Sequence, residues 1–130
     1  MLKKIMAAAL SALTVMSLCA VTVSADRVDK GWTFSISDDV GYTGYRTKDN
    51  TSCIYIKIND GSSLYVTPYG KSSTGAIAQC GAQQYAPAGS ATHVYNTVKE
   101  NGYSQAELRL YRVGGRYNAS GVWSPDSGVF

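Results

Sequence analysis

The chain contains 130 residues, with 12 lysines and arginines against 9 aspartates and glutamates, so its formal charge at pH 7 is only +3. This small charge excludes the strongly basic field on which nucleic-acid binding usually depends, and we predict no nucleic-acid partner. The length is enough for one small domain around a single hydrophobic core.

The N-terminal stretch has the pattern of an export signal. Two lysines precede an apolar stretch over residues 5–23, and Val23 and Ala25 place small residues where a signal peptidase reads them. We therefore predict a cleaved signal peptide over residues 1–25 and a secreted, extracellular domain over residues 26–130. Both lysines leave with the leader, so the mature domain carries a formal charge of +1.

Two other outcomes for this leader stay open. The apolar stretch could be retained as a membrane anchor, although serine and threonine residues interrupt it. Cys19 could carry a lipid, although the preceding Leu18 is larger than a lipoprotein signal prefers. After the leader, we predict neither a transmembrane segment nor a cationic amphipathic helix.

Short alternating segments follow in the mature chain, as in strands with one buried face. The predicted strands cover residues 32–36, 42–48, 54–58, 64–66, 76–80, 83–85, 92–98, 106–111 and 117–123. Pro68 has no N–H to donate to a ladder, so we expect that strand to lie at an edge or to leave the sheet there.

Two alternating apolar runs meet at Gly61 and indicate a β-hairpin. The register that keeps their apolar side chains on one face pairs Ile58 with Leu64 and Ile56 with Val66. This hairpin is the predicted centre of the fold.

The fold class follows from the number and length of these segments. Several short strands separated by turns favour an all-β domain, a small antiparallel β-sandwich or barrel. The alternative is an α+β fold in which residues 91–100 form a helix.

Cys53 and Cys80 are the two cysteines that remain after cleavage of the leader. An even pair in an exported protein predicts a disulfide bond between them. Closing this loop would stabilise the fold by roughly 3 to 4 kcal/mol through the entropy of the unfolded chain.

The residues that usually carry chemistry are few. His93 is the single histidine, and no Gly-x-Ser-x-Gly turn accompanies it. Asp38 and Asp39 are adjacent, which suits a strand terminator better than a shared acid and base, and no zinc-ligand spacing occurs. We predict no catalytic residue, no metal and no cofactor.

Aromatic residues give the sharper functional signal. The predicted hairpin turns Tyr55, Lys57 and Tyr65 outward, and a later strand adds Arg109 and Tyr111. Flat rings beside hydrogen-bonding groups can stack on sugar rings or anchor a protein partner, so we predict a binding face here. The alternative is that these tyrosines only form cross-strand pairs or lie beneath a second sheet.

The C-terminal residues 118–127 read NASGVWSPDS. This ending, after a signal peptide and a short β-rich body, resembles uncharacterised small secreted proteins of Gram-positive bacteria. The general layout is also similar to that of lactococcin 972-type bacteriocins. Trp123 either fills one end of the core or, with Asp126, is presented to a partner, and we include Trp123 among the candidate binding residues.

Three functions are compatible with these observations. The first is extracellular binding to cell-envelope glycan or to another protein through the tyrosines. The second, which the bacteriocin-like layout implies, is antagonism of neighbouring cells. The third is an enzyme, which would need a deep pocket that holds His93 beside a carboxylate.

Overall fold

The computed structural model describes residues 28–130, and the predicted leader lies outside them. This part of the chain forms ten β-strands and no helix, which confirms the all-β prediction and makes the α+β alternative wrong. The strands are β1 (Lys30–Phe34), β2 (Val40–Tyr42), β3 (Arg46–Thr47), β4 (Ile54–Asp60), β5 (Leu64–Lys71), β6 (Ile77–Gln79), β7 (Gln84–Ala86), β8 (Ala91–Val94), β9 (Gln105–Arg112) and β10 (Ala119–Ser124).

The strands form two antiparallel sheets. Sheet A has the order β1-β10-β4-β8. Sheet B has the order β2-β9-β5-β6, with β3 also paired to β9 and β7 also paired to β5. The core lies between the inner faces of the two sheets, so the domain is a β-sandwich.

Alternation along each strand builds this core, because every second side chain of a strand points to the same face. The largest buried apolar side chains of sheet A are Trp32, Phe34, Ile54, Ile56, Ile58, Val94 and Trp123. Those of sheet B are Leu64, Val66, Leu108 and Leu110. The apolar residues of β4 and β5 thus face the core, as the sequence pattern predicts.

The predicted hairpin between β4 and β5 is wrong. β4 pairs with β10 and β8, whereas β5 pairs with β9, β6 and β7 in the other sheet. Gly61 carries the chain from one sheet to the other with a φ of 96°. A Cβ there would lie 2.6 Å from the carbonyl oxygen of Asn118, so the crossing also needs the small size of glycine.

Pro68 lies in the interior of sheet B, which makes the predicted strand edge at this residue wrong. β7 pairs with Leu64–Val66 and β6 with Tyr69–Lys71, so Pro68 falls between the two short partners. Its carbonyl accepts the Cys80 N–H on that same side. The missing N–H of proline faces a gap between β7 and β6, where no ladder bond is required.

Several other predicted strands are shorter than their patterns suggest, and the one over residues 92–98 ends at Val94. The first ends at Phe34, and Ile36 beyond it is 47% exposed. The predicted strand over residues 42–48 is divided into β2 and β3, which both run along β9. The residues between β2 and β3 form a short link beside β9, where the Thr43 N–H donates to the Leu108 carbonyl.

The predicted disulfide is also wrong, since Cys53 and Cys80 are free. Cys53 precedes β4 and shares the outward side of Tyr55, whereas Cys80 follows β6 and is buried in the core at 1% exposure. The two cysteines therefore differ in burial and form no bond with each other. No helix in residues 28–130 is long and apolar enough to cross a membrane.

Candidate binding face

The predicted binding residues lie on opposite sides of the sandwich. Tyr55 and Lys57 are on β4, at the outer face of sheet A. Tyr65 on β5 and the pair Arg109 and Tyr111 on β9 are at the outer face of sheet B. The sequence placed them together only because it predicted β4 and β5 as one hairpin.

Trp123 lies on neither outer face. Its side chain is in the core at 1% exposure, with the Arg46 guanidinium carbon 5.2 Å from its ring centroid. Trp123 therefore anchors the inner face of sheet A and presents no surface to a partner.

The register of sheet B brings further tyrosines beside Tyr65. Tyr65 lies opposite Tyr85 on one side and Tyr111 on the other. The rings of Tyr65 and Tyr85 meet edge to face, with their centroids 5.9 Å apart. The next outward rank contains Arg109, which lies opposite Tyr42 in β2.

We call this surface the tyrosine face. It consists of the outward side chains Tyr42, Tyr65, Tyr69, Tyr85, Tyr111 and Arg109. Tyr42 and Tyr85 are more than half exposed, and the remaining members are partly buried. The aliphatic Val40 and Ile77 belong to the outermost strands of the sheet, so aromatic rings and one cation occupy its centre.

Arg109 is held by rings rather than by a carboxylate. Its guanidinium carbon is 3.7 Å from the ring centroid of Tyr69 and 5.5 Å from that of Tyr42. Neither of the two ion pairs within residues 28–130 involves Arg109. The rings fix its position through cation–π contacts and leave its charge without a carboxylate partner.

Glu107 lies two residues before Arg109 on the same side of β9, but it is covered. Its side chain is 5% exposed, and the Gly44 N–H in the link between β2 and β3 donates to Glu107 Oε1 over 3.2 Å. Burial raises the pKa of Glu107, and the Gly44 N–H and the Arg109 charge oppose the rise. Burial, with the Glu107 charge, also raises the pKa of Tyr45 in the same link.

A polar hollow borders the tyrosine face where β5 ends. It has a volume of about 580 Å³ and is lined by Lys71, the serine- and threonine-rich loop that follows, and Gln105. The Lys71 ammonium is 5.4 Å from the ring centroid of Tyr45. A second cation thus lies at the end of the face.

The C-terminal segment that carries the sequence resemblance has a structural role. Asp126 is buried, and its Oδ1 accepts from the Lys48 ammonium over 2.7 Å. The same ammonium donates to the carbonyls of Ser52 and Pro125, and the Asp49 N–H donates to Asp126 Oδ2. Asp126 therefore organises the loop before β4 and is not available to a partner.

His93 lines a shallow cleft on the outer face of sheet A. The cleft has a volume of about 260 Å³ and is bordered by Asp29, Tyr55 and Asp126. The His93 and Tyr55 rings are 5.9 Å apart, but no hydrogen bond joins His93 to a carboxylate or serine of the described chain. Residues 28–130 contain no cluster of three metal-ligating side chains.

Sequence reasoning missed Tyr42, Tyr69, Tyr85 and Glu107 as members or neighbours of the face. A signal for Tyr69 was present, since it lies four positions after Tyr65 and thus on the same side of a continuous strand. This signal was not used because the strand was predicted to end at Pro68. Tyr42 and Tyr85 lie in strands of three residues, where alternation is too short to indicate a face.

Comparison with curated proteins and with solved structures yields no match to this chain. The sequence pattern of one family does match, and it covers residues 19–127, which include all ten strands and the buried Asp126. The chain therefore belongs to the family described as "Protein of unknown function (DUF2712)".

Proposed function

We propose that this protein is a secreted binding module whose tyrosine face binds cell-envelope glycan. The observation that carries the proposal is the placement of five tyrosine rings on the same open sheet face as Arg109, two of which contact it. Exposed rings in fixed positions stack on the flat C–H faces of sugar rings. Phenol hydroxyls at the ring edges can exchange hydrogen bonds with sugar hydroxyls.

A glycan suits this face better than a protein partner. Tyrosine and arginine are also enriched at protein interfaces, but there they are anchors that fill fully desolvated pockets at the centre of a closely packed patch. On the tyrosine face, the aliphatic residues Val40 and Ile77 belong to the edge strands, and the centre holds a cation and phenol groups. A row of rings on an open sheet instead matches an extended polymer of hydroxylated rings.

The predicted leader supports a ligand outside the cytoplasm. Residues 1–25 have the pattern of a cleaved export signal, and the C-terminal sequence resembles that of secreted proteins from Gram-positive bacteria. The glycan that such a protein meets first is the polymer of the cell envelope. We propose binding rather than catalysis, since His93 has no carboxylate or serine hydrogen-bonded to it in the described chain.

Sedimentation with insoluble cell-wall material tests the proposal. We expect Tyr65→Ala and Tyr111→Ala each to weaken binding by roughly threefold to tenfold, because each removes one stacking ring. Tyr55→Ala is the matched control, since Tyr55 is equally a half-buried strand tyrosine but lies on sheet A. Circular dichroism checks that every variant is folded.

Binding that survives both sheet B substitutions, or that falls only in Tyr55→Ala, would refute the tyrosine face as the site. A growth-inhibition assay on related strains distinguishes glycan binding from the alternative function, that of a bacteriocin-like antagonist. Inhibition by purified protein that persists in Tyr65→Ala and Tyr111→Ala would favour antagonism by another surface.

A further inference from the structure

Arg109 occupies the centre of the tyrosine face. On β9 it lies opposite Thr67 on one side and Tyr42 on the other. The Tyr69 ring lies 3.7 Å from its guanidinium carbon, so the group is partly shielded from water by a neutral surface. A cation in such a place keeps its charge while losing part of its hydration.

The carboxylate nearest along the strand does not neutralise this cation by an ion pair. Glu107 is 5% exposed, and its Oε1 accepts from the backbone N–H of Gly44. Neither ion pair of the described chain includes Arg109 or Lys71. The Glu107 charge acts on Arg109 and Lys71 without forming an ion pair with either. Glu107 is buried whereas the two cations are partly exposed, so the charged groups that a ligand can reach on this face are positive.

We propose that Arg109 binds an anionic group of the glycan, a carboxylate or a phosphate, while the surrounding rings stack on its sugars. This inference rests on the proposed function and names the class of ligand: an acidic polysaccharide. The planar guanidinium matches the paired oxygens of a carboxylate or phosphate. A partly dehydrated cation gains more from such a contact than one in open water.

The spacing of cations along the face agrees with a polymeric anion. Arg109 and Lys71 are both at outward positions, and the register places them opposite Thr67 and Gln105 respectively. A chain with a charge on successive units can reach Arg109 at the centre and Lys71 beside the polar hollow. Their backbone positions are four residues apart along the strands, about 13 Å, which favours a ligand with several charges over a single small anion.

The inference can be tested by affinity electrophoresis, in which the full chain migrates through gels that contain a dissolved polymer. The probes are polygalacturonate for carboxylate, purified wall teichoic acid for phosphate, and dextran as the neutral polymer. We expect retardation by one or both acidic polymers and a loss of that retardation as salt rises.

Arg109→Gln should weaken binding to the acidic polymer by at least about tenfold, since it removes a charge-assisted hydrogen bond. Arg109→Lys should retain part of the binding, because it keeps the charge but loses the planar donors. Arg116→Gln is the control of equal charge, since Arg116 pairs with Asp39 and is 57% exposed outside the face.

The outcomes separate this inference from the proposed function. If dextran and the acidic polymers bound equally well, and Arg109→Gln changed neither, the inference of an anionic ligand would be refuted. The proposal that the tyrosine face binds glycan would be unaffected. Equal losses in Arg109→Gln and Arg116→Gln would overturn a specific role for Arg109. Retardation by none of the polymers, together with no sedimentation with cell walls, would overturn both proposals.

Discussion

Lys48 and Asp126 form a charged pair in the interior of a very small domain. Both side chains are at most 1% exposed, and the ammonium has three oxygen acceptors within 2.9 Å. A buried charge is tolerated when a partner and hydrogen bonds replace the water that it loses. The pair ties the loop that precedes β4 to the segment that follows β10.

Asp126→Asn should lower the free energy of unfolding by about 3 kcal/mol or more, because it leaves the buried Lys48 ammonium without a counter-charge. Urea denaturation followed by tryptophan fluorescence measures the change. The control is Asp39→Asn, which breaks the exposed pair with Arg116, where we expect no measurable loss. Equal stability of Asp126→Asn and the parent protein would show that the pair does not hold the loop.

Strand β10 of sheet A requires a glycine at one position, Gly121. It runs between β1 and β4, with an irregular register between Ser120 and Gly121. A Cβ on Gly121 would lie 1.9 Å from the carbonyl oxygen of Lys57 and 3.0 Å from the Trp32 ring. The three strands can approach one another there only because Gly121 has no side chain.

Gly121→Ala should therefore destabilise the domain by about 3 kcal/mol or more, since backbone atoms must move to admit the methyl group. The melting temperature measured by circular dichroism tests this expectation. Gly114→Ala is the control, because a Cβ on Gly114 would have no atom within 4 Å. Similar melting temperatures for the two variants would contradict the close packing around β10.

The error over β4 and β5 shows what alternation can and cannot predict. Residues 54–58 and 64–66 correctly indicate which side chains face the core, since that depends only on the period of a strand. The partner of each strand depends on residues far away in the sequence. A short link at Gly61 is compatible with a hairpin and with a crossing between sheets, and local sequence does not distinguish them.

The candidate binding face was predictable in part for the same reason. Tyr65, Arg109 and Tyr111 share an outer face because β5 and β9 are neighbours, and both patterns turned them outward. Tyr55 was assigned to the same face only through the wrong hairpin. The membership of Tyr42 and Tyr85 depends on long-range pairing of two strands of three residues each, which no local pattern indicates.

At the scale of the whole molecule, the sandwich is held without a covalent link between its sheets. Cys53 and Cys80 are free, and burial raises the pKa of the Cys80 thiol. Stability therefore comes from the packing of the two inner faces and from buried polar contacts such as the pair of Lys48 and Asp126.

Purified mature protein, residues 26–130, kept without reductant should show two reactive thiols per chain in denaturant, because Cys19 lies in the predicted leader. Its melting temperature should not change when dithiothreitol is added. In the native state, Cys53 should react with Ellman's reagent before Cys80. Cys80 is 1% exposed, and its burial raises the pKa of the thiol and so disfavours the reactive thiolate. An intact mass two daltons below the reduced value, together with a melting temperature that falls on reduction, would contradict the free thiols.

The place of β10 in sheet A also determines when this chain can fold. β1 has β10 as its ladder partner in the sheet, although the two strands lie at opposite ends of the described chain. Until Ser124 has left the ribosome, sheet A cannot close and one side of the core stays open to water. Sheet A can therefore close only once β10 has been synthesised, and the chain made before that point has no ladder partner for β1.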